Sequence, residues 1–284
     1  MAQKQKKIIL KSLEEIALMQ QSARLVSQTL AEVARHIRPG VTTLQLDALA
    51  ETYIRDHGGE PGFKGLYGCP STLLTSVNEV VIHGLPTDKP LEDGDIVGVD
   101  CGVKMNGYYG DHAYTFEVGE VAPETRQLLQ VTKESLYLAI AQARQGNRVG
   151  DIGHAVQQHC EAAGYSIVRE FVGHGLGRDL HEAPELPNYG RRGHGKQLQN
   201  GMTLAIEPMV NMGRRDVRML PDKWTIVARD GKPSAHYEHN IAIWEGLPVV
   251  LSTFDYIEDV LGLDYTTPRV AVPGLVATLP KRVV

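Results

Sequence analysis

Apolar residues recur at helical spacing through SLEEIALMQQSARLVSQTLAEVARHI, which opens on a capping box formed by Ser12 and Glu15 and is predicted to run as a helix until Pro39-Gly40. A second helix is predicted over about 43–57, ended by Gly58. The same pattern returns later in the chain. ETRQLLQVTKESLYLAIAQAR reads as a helix that runs to Gly146, and DIGHAVQQHCEAAG as another that ends at Gly164. Gly40 and Gly58 have the same separation as Gly146 and Gly164, which brings Leu46, Ala50 and Ile54 into register with Ile152, Val156 and Cys160. That register predicts a repeated helix-helix-strand unit, with a cleft between the two halves.

Between and after these helices the period shifts to two. DGDIVGVDCGVKM and YYGDHAYTFEV flank Asn106-Gly107, a dipeptide suited to a two-residue hairpin turn. Pairing Met105 with Tyr108 sets Gly102 opposite Asp111 and Asp100 opposite Ala113, so both aspartates share one face as diagonal neighbours, with Cβ atoms roughly 7 Å apart. Such a pair can bracket metal ions about 3.5–4 Å apart; a solvated aspartate pair in a loop is the plainer alternative. In MTLAIEPMV, Glu207 ends an apolar strand-like run and precedes Pro208, placing a charge where the pattern asks for burial. In SAHYEHNIAIW, alternation along one predicted strand puts His236, Glu238 and Asn240 on one face, with Tyr237, Ile241 and Ile243 on the other. FVGHGLGRDLHEAP sets His174 and His181 among glycines, and it lacks both the GxGxxG spacing and the P-loop lysine of a phosphate cradle.

Asp100, Asp111, His174, Glu207 and Glu238 are therefore candidate metal ligands. Burying four carboxylates together requires cations among them. The oxygen-rich set suits manganese, iron or cobalt better than structural zinc, and cellular supply decides among them.

Composition narrows the setting. At 284 residues the chain is long for one domain, yet no low-complexity linker divides it. A net charge of −5 without a basic block argues against nucleic acid as the main partner. No apolar run reaches membrane-spanning length, and MAQKQKKIIL is too short in its apolar part for a signal peptide. Cys69, Cys101 and Cys160 form no CxxC and no even disulfide set, so a reducing cytoplasm is the expected compartment.

VNEVVIHGLP, GDIVGVDCGVKMNGYYGDHAYTF, REFVGHGLGRDLHEAP, GMTLAIEPMV and HYEHNIAI, in this order and at these separations, resemble the type I methionine aminopeptidases over about residues 10–252. The resemblance implies an α+β pita-bread fold, two pseudo-symmetric halves with helices covering a curved antiparallel sheet. It implies removal of the initiator methionine from nascent chains at a site holding two divalent ions. Asp100 and Asp111 would hold one ion with Glu238, and Asp111, His174, Glu207 and Glu238 the other, so that Asp111 and Glu238 bridge. A metal-bridging hydroxide would attack the scissile carbonyl, with Glu207 shuttling the proton and His181 stabilising the oxyanion. His83 resembles the histidine that contacts the scissile amide nitrogen. Taken singly, each histidine reads more simply as a hydrogen-bonded structural residue.

The methionine pocket departs from the family. Phe63, Leu66, Cys69 and Leu74 occupy the aligned positions, Leu180 stands where a phenylalanine is usual before His181, and Trp224 is kept. HEAP replaces the commoner HEEP, with Ala183 removing a charge. The pocket stays apolar, which favours methionine over leucine as the expected first residue. The expected organisation is a short extension over residues 1–9, a catalytic domain over 10–252 and a tail over 253–284. The extension is too short for a zinc-binding or targeting segment. Pro268, Pro273 and Pro280 disfavour a long helix in the tail, which could strap onto the body or assist a partner such as the ribosome.

The expected substrate is a nascent polypeptide N-terminus, and the expected state is a monomer. Proline-specific pita-bread aminopeptidases carry the same ligand pattern but usually add a large N-terminal domain. A metal-free pita-bread binding protein would not need all five ligand types. Type II enzymes carry a helical insertion between the regions of His181 and Glu207, where only 25 residues lie here.

Overall fold

Gly40 and Gly58 lie in left-handed backbone at φ 90° and 75°, and Gly146 and Gly164 repeat this at 93° and 85°. Each pair brackets a short helix, and only glycine holds such angles without strain. The structure, a computed structural model, describes residues 7–262. In the first half α1 (Leu13–Ala34) precedes α2 (Thr43–Asp56); in the second α3 (Pro123–Gln142) precedes α4 (Val149–Ala162). The residues just before the shorter helices, Thr42 and Arg148, each make an isolated bridge, to Pro90 and Gln197. The in-register positions Leu46, Ala50, Ile54, Ile152, Val156 and Cys160 are all buried in one core cluster.

The capping box of α1 forms as expected, Ser12 Oγ accepting from Glu15 N and Glu15 Oε2 from Ser12 N. The helix ends at Ala34, earlier than predicted. His36 N and Ile37 N donate to carbonyls only three residues back, tightening the last turn, and Pro39 disfavours helical backbone in the residue before it.

The first half supplies β1 (Glu60–Pro61), β2 (Leu73–Val77), β3 (Val80–Ile82), β4 (Ile96–Met105) and β5 (Tyr108–Glu117). β4 pairs β5 along its full length in the predicted register: Met105 faces Tyr108, Gly102 faces Asp111 and Asp100 faces Ala113. Asn106 and Gly107 turn the hairpin at φ 54° and 78°, the positive angles of a type I′ turn. β1 and β2 pair with successive stretches of β4, at Val103 and Lys104 and from Val97 to Cys101, and α1 packs across the hairpin.

The second half has shorter strands: β6 (Ser166–Ile167), β7 (Gly173–Gly175), β8 (Glu182–Leu186), β9 (Thr203–Ile206), β10 (Met209–Asn211), β11 (Val217–Met219), β12 (Ile226–Ala228), β13 (Ser234–His236), β14 (His239–Trp244) and β15 (Leu247–Val250). One sheet has the order β15-β14-β9-β7-β8, another β13-β10-β6, and a third joins β11 and β12 to β3 of the first half. The single strand expected over 234–244 is in fact two, and the run ending at Glu207 is likewise separated from β10. Ile206 faces His239 and Met209 faces His236, so the two interruptions lie opposite each other. Pro208 has no N–H for a ladder, and Glu238 N donates across to Ala113 O of the first half. The alternation itself survives: Tyr237, Ile241 and Ile243 enter the main core.

Packing continues past residue 252 into α5 (Asp255–Leu261), which lies on α1. Phe254 is buried, stacked on His112 at 4.9 Å and set 4.1 Å from His239, with Tyr114 edge-on at 4.9 Å. Pro268, Pro273 and Pro280 lie outside the described residues. At the other end, Lys11 forms a buried ion pair with Glu182, beside His181. Cys69, Cys101 and Cys160 are free and buried. Among the described residues no helix is long and apolar enough to cross a membrane.

Candidate metal centre and substrate pocket

Asp100 and Asp111 project from the long hairpin as diagonal neighbours, close enough for the charge of Asp111 to raise the pKa of Asp100. Asp111 is held at its backbone, whose N–H donates to Asn240 Oδ1 at 2.6 Å. The second half answers from its interruptions. Glu207 and Glu238 turn inward where the β9–β14 ladder stops and the β10–β13 ladder has yet to start. Asn188 Nδ2 donates to the Glu207 carbonyl at 2.8 Å, and His112 Nδ1 holds the Glu238 carbonyl. His174 sits on β7 opposite Ala205, at a register shift. A Cβ on Gly173 would lie 2.4 Å from Ala205 O, so glycine is what lets β7 approach β9 so closely.

His174 Nδ1 donates to Gly175 O at 2.9 Å, which leaves Nε2 as an acceptor. That nitrogen lies 3.7 Å from Asp111 Oδ2 and 3.6 Å from Glu207 Oε1. These separations are too long for hydrogen bonds and short enough for two bonds of about 2.0–2.2 Å to meet at one ion. One ligand atom each from Asp111, His174 and Glu238 falls within a 4.8 Å cluster. Asp100 Oδ1, Asp111 Oδ1 and Glu238 Oε1 are buried without a hydrogen-bond partner. The donor set therefore fits divalent cations.

The electrostatics point the same way. Burial lifts Asp111 to about 7. Burial followed by the charge of Asp111 lifts Asp100, Glu207 and Glu238 well above the carboxylate range, with Asp100 and Glu207 adding to the effect on Glu238. His174 is pushed down to about 3 by burial and then by His181, so it is a neutral imidazole. Acids that resist ionisation and a neutral imidazole form a site whose missing charge is positive.

The five candidate ligands, His83, His181 and the six candidate pocket residues Phe63, Leu66, Cys69, Leu74, Leu180 and Trp224 all border one cavity of about 130 Å³. At its apolar end Phe63, Cys69, Leu74 and Leu180 are buried and packed together, with Leu66 and Trp224 against them. The five candidate ligands, His83 and His181 also line the cavity. His83 holds φ 60° and stands edge-on to Phe171 at 5.4 Å, with its pKa lowered to about 4 by burial and then His181. His181 is exposed, and its ring meets that of His174 edge-on at 4.4 Å. A roomier depression of about 540 Å³ beside α4, bordered by His154, Glu161, Arg191 and Arg192, has only exposed or half-buried polar side chains.

Sequence reasoning missed four participants. Tyr67 and Ile82 also border the cavity. His236 Nε2 is buried without a hydrogen-bond partner, 3.7 Å from Glu207 Oε2. Alternation had placed His236 and Asn240 on the Glu238 face, which was a signal that assigned them no role.

Comparison with known proteins agrees with this geometry. The profile of metallopeptidase family M24 matches residues 17–245. A methionine aminopeptidase of Clostridium perfringens is 51% identical over 245 residues, covering 86% of this chain and 98% of the relative. Methionine aminopeptidase 1 of Bacillus subtilis is 48% identical over 238 residues, 84% of this chain and 96% of the relative. The crystal structure of the Thermotoga maritima methionine aminopeptidase superposes with a TM-score of 0.85 at 42% identity, covering 87% of this chain and all of that one. The prolidase of Pyrococcus furiosus shares the fold at a TM-score of 0.70 but only 21% identity, with 86% of this chain matching 65% of it. By motif, fold and overall identity, this chain belongs to the methionine aminopeptidases of metallopeptidase family M24.

Proposed function

We propose that this chain removes the initiator methionine from nascent polypeptides by metal-assisted hydrolysis of the first peptide bond. The observation that carries this reading is one cavity lined both by five candidate metal ligands and by a cluster of packed apolar side chains. Asp100, Asp111 and Glu238 would hold one divalent ion, and Asp111, His174, Glu207 and Glu238 a second. Ions there supply Lewis acidity and make a water acidic enough to be a nucleophile at neutral pH.

The chain's own groups do the rest. Phe63, Leu66, Cys69, Leu74, Leu180 and Trp224 take the first side chain and exclude water from it. Glu207, close to His174 and His236, accepts the water's proton and returns it to the leaving amine. His181 donates to the oxygen of the scissile carbonyl as negative charge develops there. His83, on the wall of the same cavity, contacts the scissile nitrogen.

The test is hydrolysis of Met-Ala-Ser and of Ala-Pro-Ala by metal-stripped protein reloaded separately with manganese, iron, cobalt or zinc. Methionine release that depends on restored metal is the expected outcome, and it ranks the ions. Cleavage only before proline would reassign the chain to the proline peptidases. Silence with every metal would favour a binding role.

A further inference from the structure

His181 is exposed, so burial does not fix where its ring points. The next residue is anchored in the opposite way. Glu182 opens β8, pairs with Gly175, and has a side chain only 5% exposed. Its Oε2 receives Lys11 Nζ, on a side chain only 3% exposed. Its Oε1 accepts the backbone N–H of Arg178 at 3.0 Å and of Asp179 at 3.4 Å, closing the 177–182 loop on itself. A Cβ on Gly177 would lie 2.5 Å from Glu182 Oε1 and 2.5 Å from Lys11 Cε, so the loop is shaped around this pair and glycine leaves room for it.

Lys11 is itself held firmly. Its backbone N–H donates to Gly201 O at 2.7 Å, and Nζ also donates to Ile9 O at 3.1 Å. The start of the loop is tied down as well, Tyr109 N donating to Gly177 O at 2.8 Å. A buried ion pair is a poor source of stability, because two charges taken out of water lose nearly as much as their attraction returns, and apolar side chains would fill the space at less cost. What the pair does supply is a fixed place for the Glu182 carboxylate. Successive side chains of extended backbone point to opposite sides, so holding Glu182 on one side turns His181 to the other, where it borders the cavity.

We propose that Lys11 is a positioning residue for His181: through the Glu182 carboxylate it holds the loop so that the His181 ring stays edge-on to His174, at 4.4 Å. This rests on the aminopeptidase reading above and on the part His181 plays in it. A donor stabilises developing charge only if it is already aimed at the oxygen, and a ring free to swing loses that advantage. Neither Lys11 nor Glu182 borders the cavity, so the pair acts on the reaction through the loop.

The experiment is a double-mutant cycle on the metal-loaded full chain, reading kcat for methionine release at saturating Met-Ala-Ser. Lys11→Met keeps the side chain's bulk and removes its charge. It should lower kcat about 10–100-fold with metal content retained, and less than about twofold when made together with His181→Ala. Equal losses in the two backgrounds would make the pair merely structural and overturn the proposal, as would no loss in the first. Lys11→Met leaves Glu182 without its cation, so Lys11→Met/Glu182→Met, which buries no unpaired charge, answers the question if the single variant fails to fold. It should show the same loss and the same dependence on His181, and wild-type kcat in it overturns the role. A wild type silent on Met-Ala-Ser overturns the aminopeptidase reading, and a fully active His181→Ala overturns the part of His181; this proposal falls with either.

Discussion

The two halves deliver their candidate ligands in opposite ways. The first half places Asp100 and Asp111 on an unbroken ten-residue ladder, where register alone sets their spacing. The second half places Glu207 and Glu238 at facing interruptions and His174 at a register shift. A regular strand commits each N–H and C=O to its sheet, whereas an interruption frees them for other partners. The freed Glu238 N–H reaches across the cleft to Ala113 O, and the nearby Asn240 side chain accepts from Asp111 N–H through Oδ1. The regular half sets the distance between charges, and the irregular half brings the other charges to them.

The largest expected effect falls on the regular half. Asp111→Asn replaces the carboxylate proposed to bridge two ions by a neutral amide, and activity should fall by about 10³-fold or more, the scale of several kcal/mol of lost charge stabilisation. Metal content measured by atomic emission should fall with it, and retained activity at full metal content would remove Asp111 from the bridge. Next comes His181→Ala, which should cost roughly 10²–10³ in kcat with metal content intact. Loss of metal in that variant would make His181 a ligand. Asn240→Ala probes the link between the halves. It leaves the buried Asp111 N–H without its acceptor and should weaken metal affinity about 10–100-fold, as loss of a group supporting a ligand does. Unchanged affinity on titration would show that the halves hold their ligands independently.

The smallest effect is one of pH. In metal-free protein, folding raises Asp111 to about 7, and Asp100, Glu207 and Glu238 also titrate well above their ordinary range. Stability from these raised acids is present at low pH and is lost as pH rises through 7 and beyond. His83, His112, His174, His236 and His239 are lowered by burial, so their contribution is lost as pH falls through the unfolded value of about 6.5. Metal-free protein should therefore have its highest Tm near neutrality, and from there to pH 8.5 it should fall by about 2–4 °C per kcal/mol lost. Manganese, by stabilising the ionised carboxylates, should flatten that alkaline side. Parallel melting curves with and without metal would contradict the linkage.

This contrast also explains what was legible in the sequence. The hairpin register followed from Asn106-Gly107 and counting, because the ladder is continuous. The repeat was visible in Gly40, Gly58, Gly146 and Gly164, because a left-handed position leaves a residue type as its mark. The run was read as ending at Glu207, but the interruption at Glu238 was read as continuous strand, since alternation persists through it and the break depends on a bond to the other half. Asn240 and His236 were placed on the right face without a role for the same reason. Tyr67 left no signal at all: an aromatic residue among glycines announces neither its backbone angles nor the histidine it stacks near.

Phe254 sets a lower limit on how far this protein can be shortened. Its ring lies against His112, which holds the Glu238 carbonyl, and against His239, the residue after Glu238. Proteolytic trimming back to Ser252, where the last strand has already ended, would leave a phenyl-sized void behind the two histidines that flank the candidate ligand Glu238. Voids left by deleting such a ring commonly cost about 3–5 kcal/mol, so that product would be damaged first at its metal centre. The catalytic body, judged by what keeps its charges in place, extends at least to Ile257, which is fully buried.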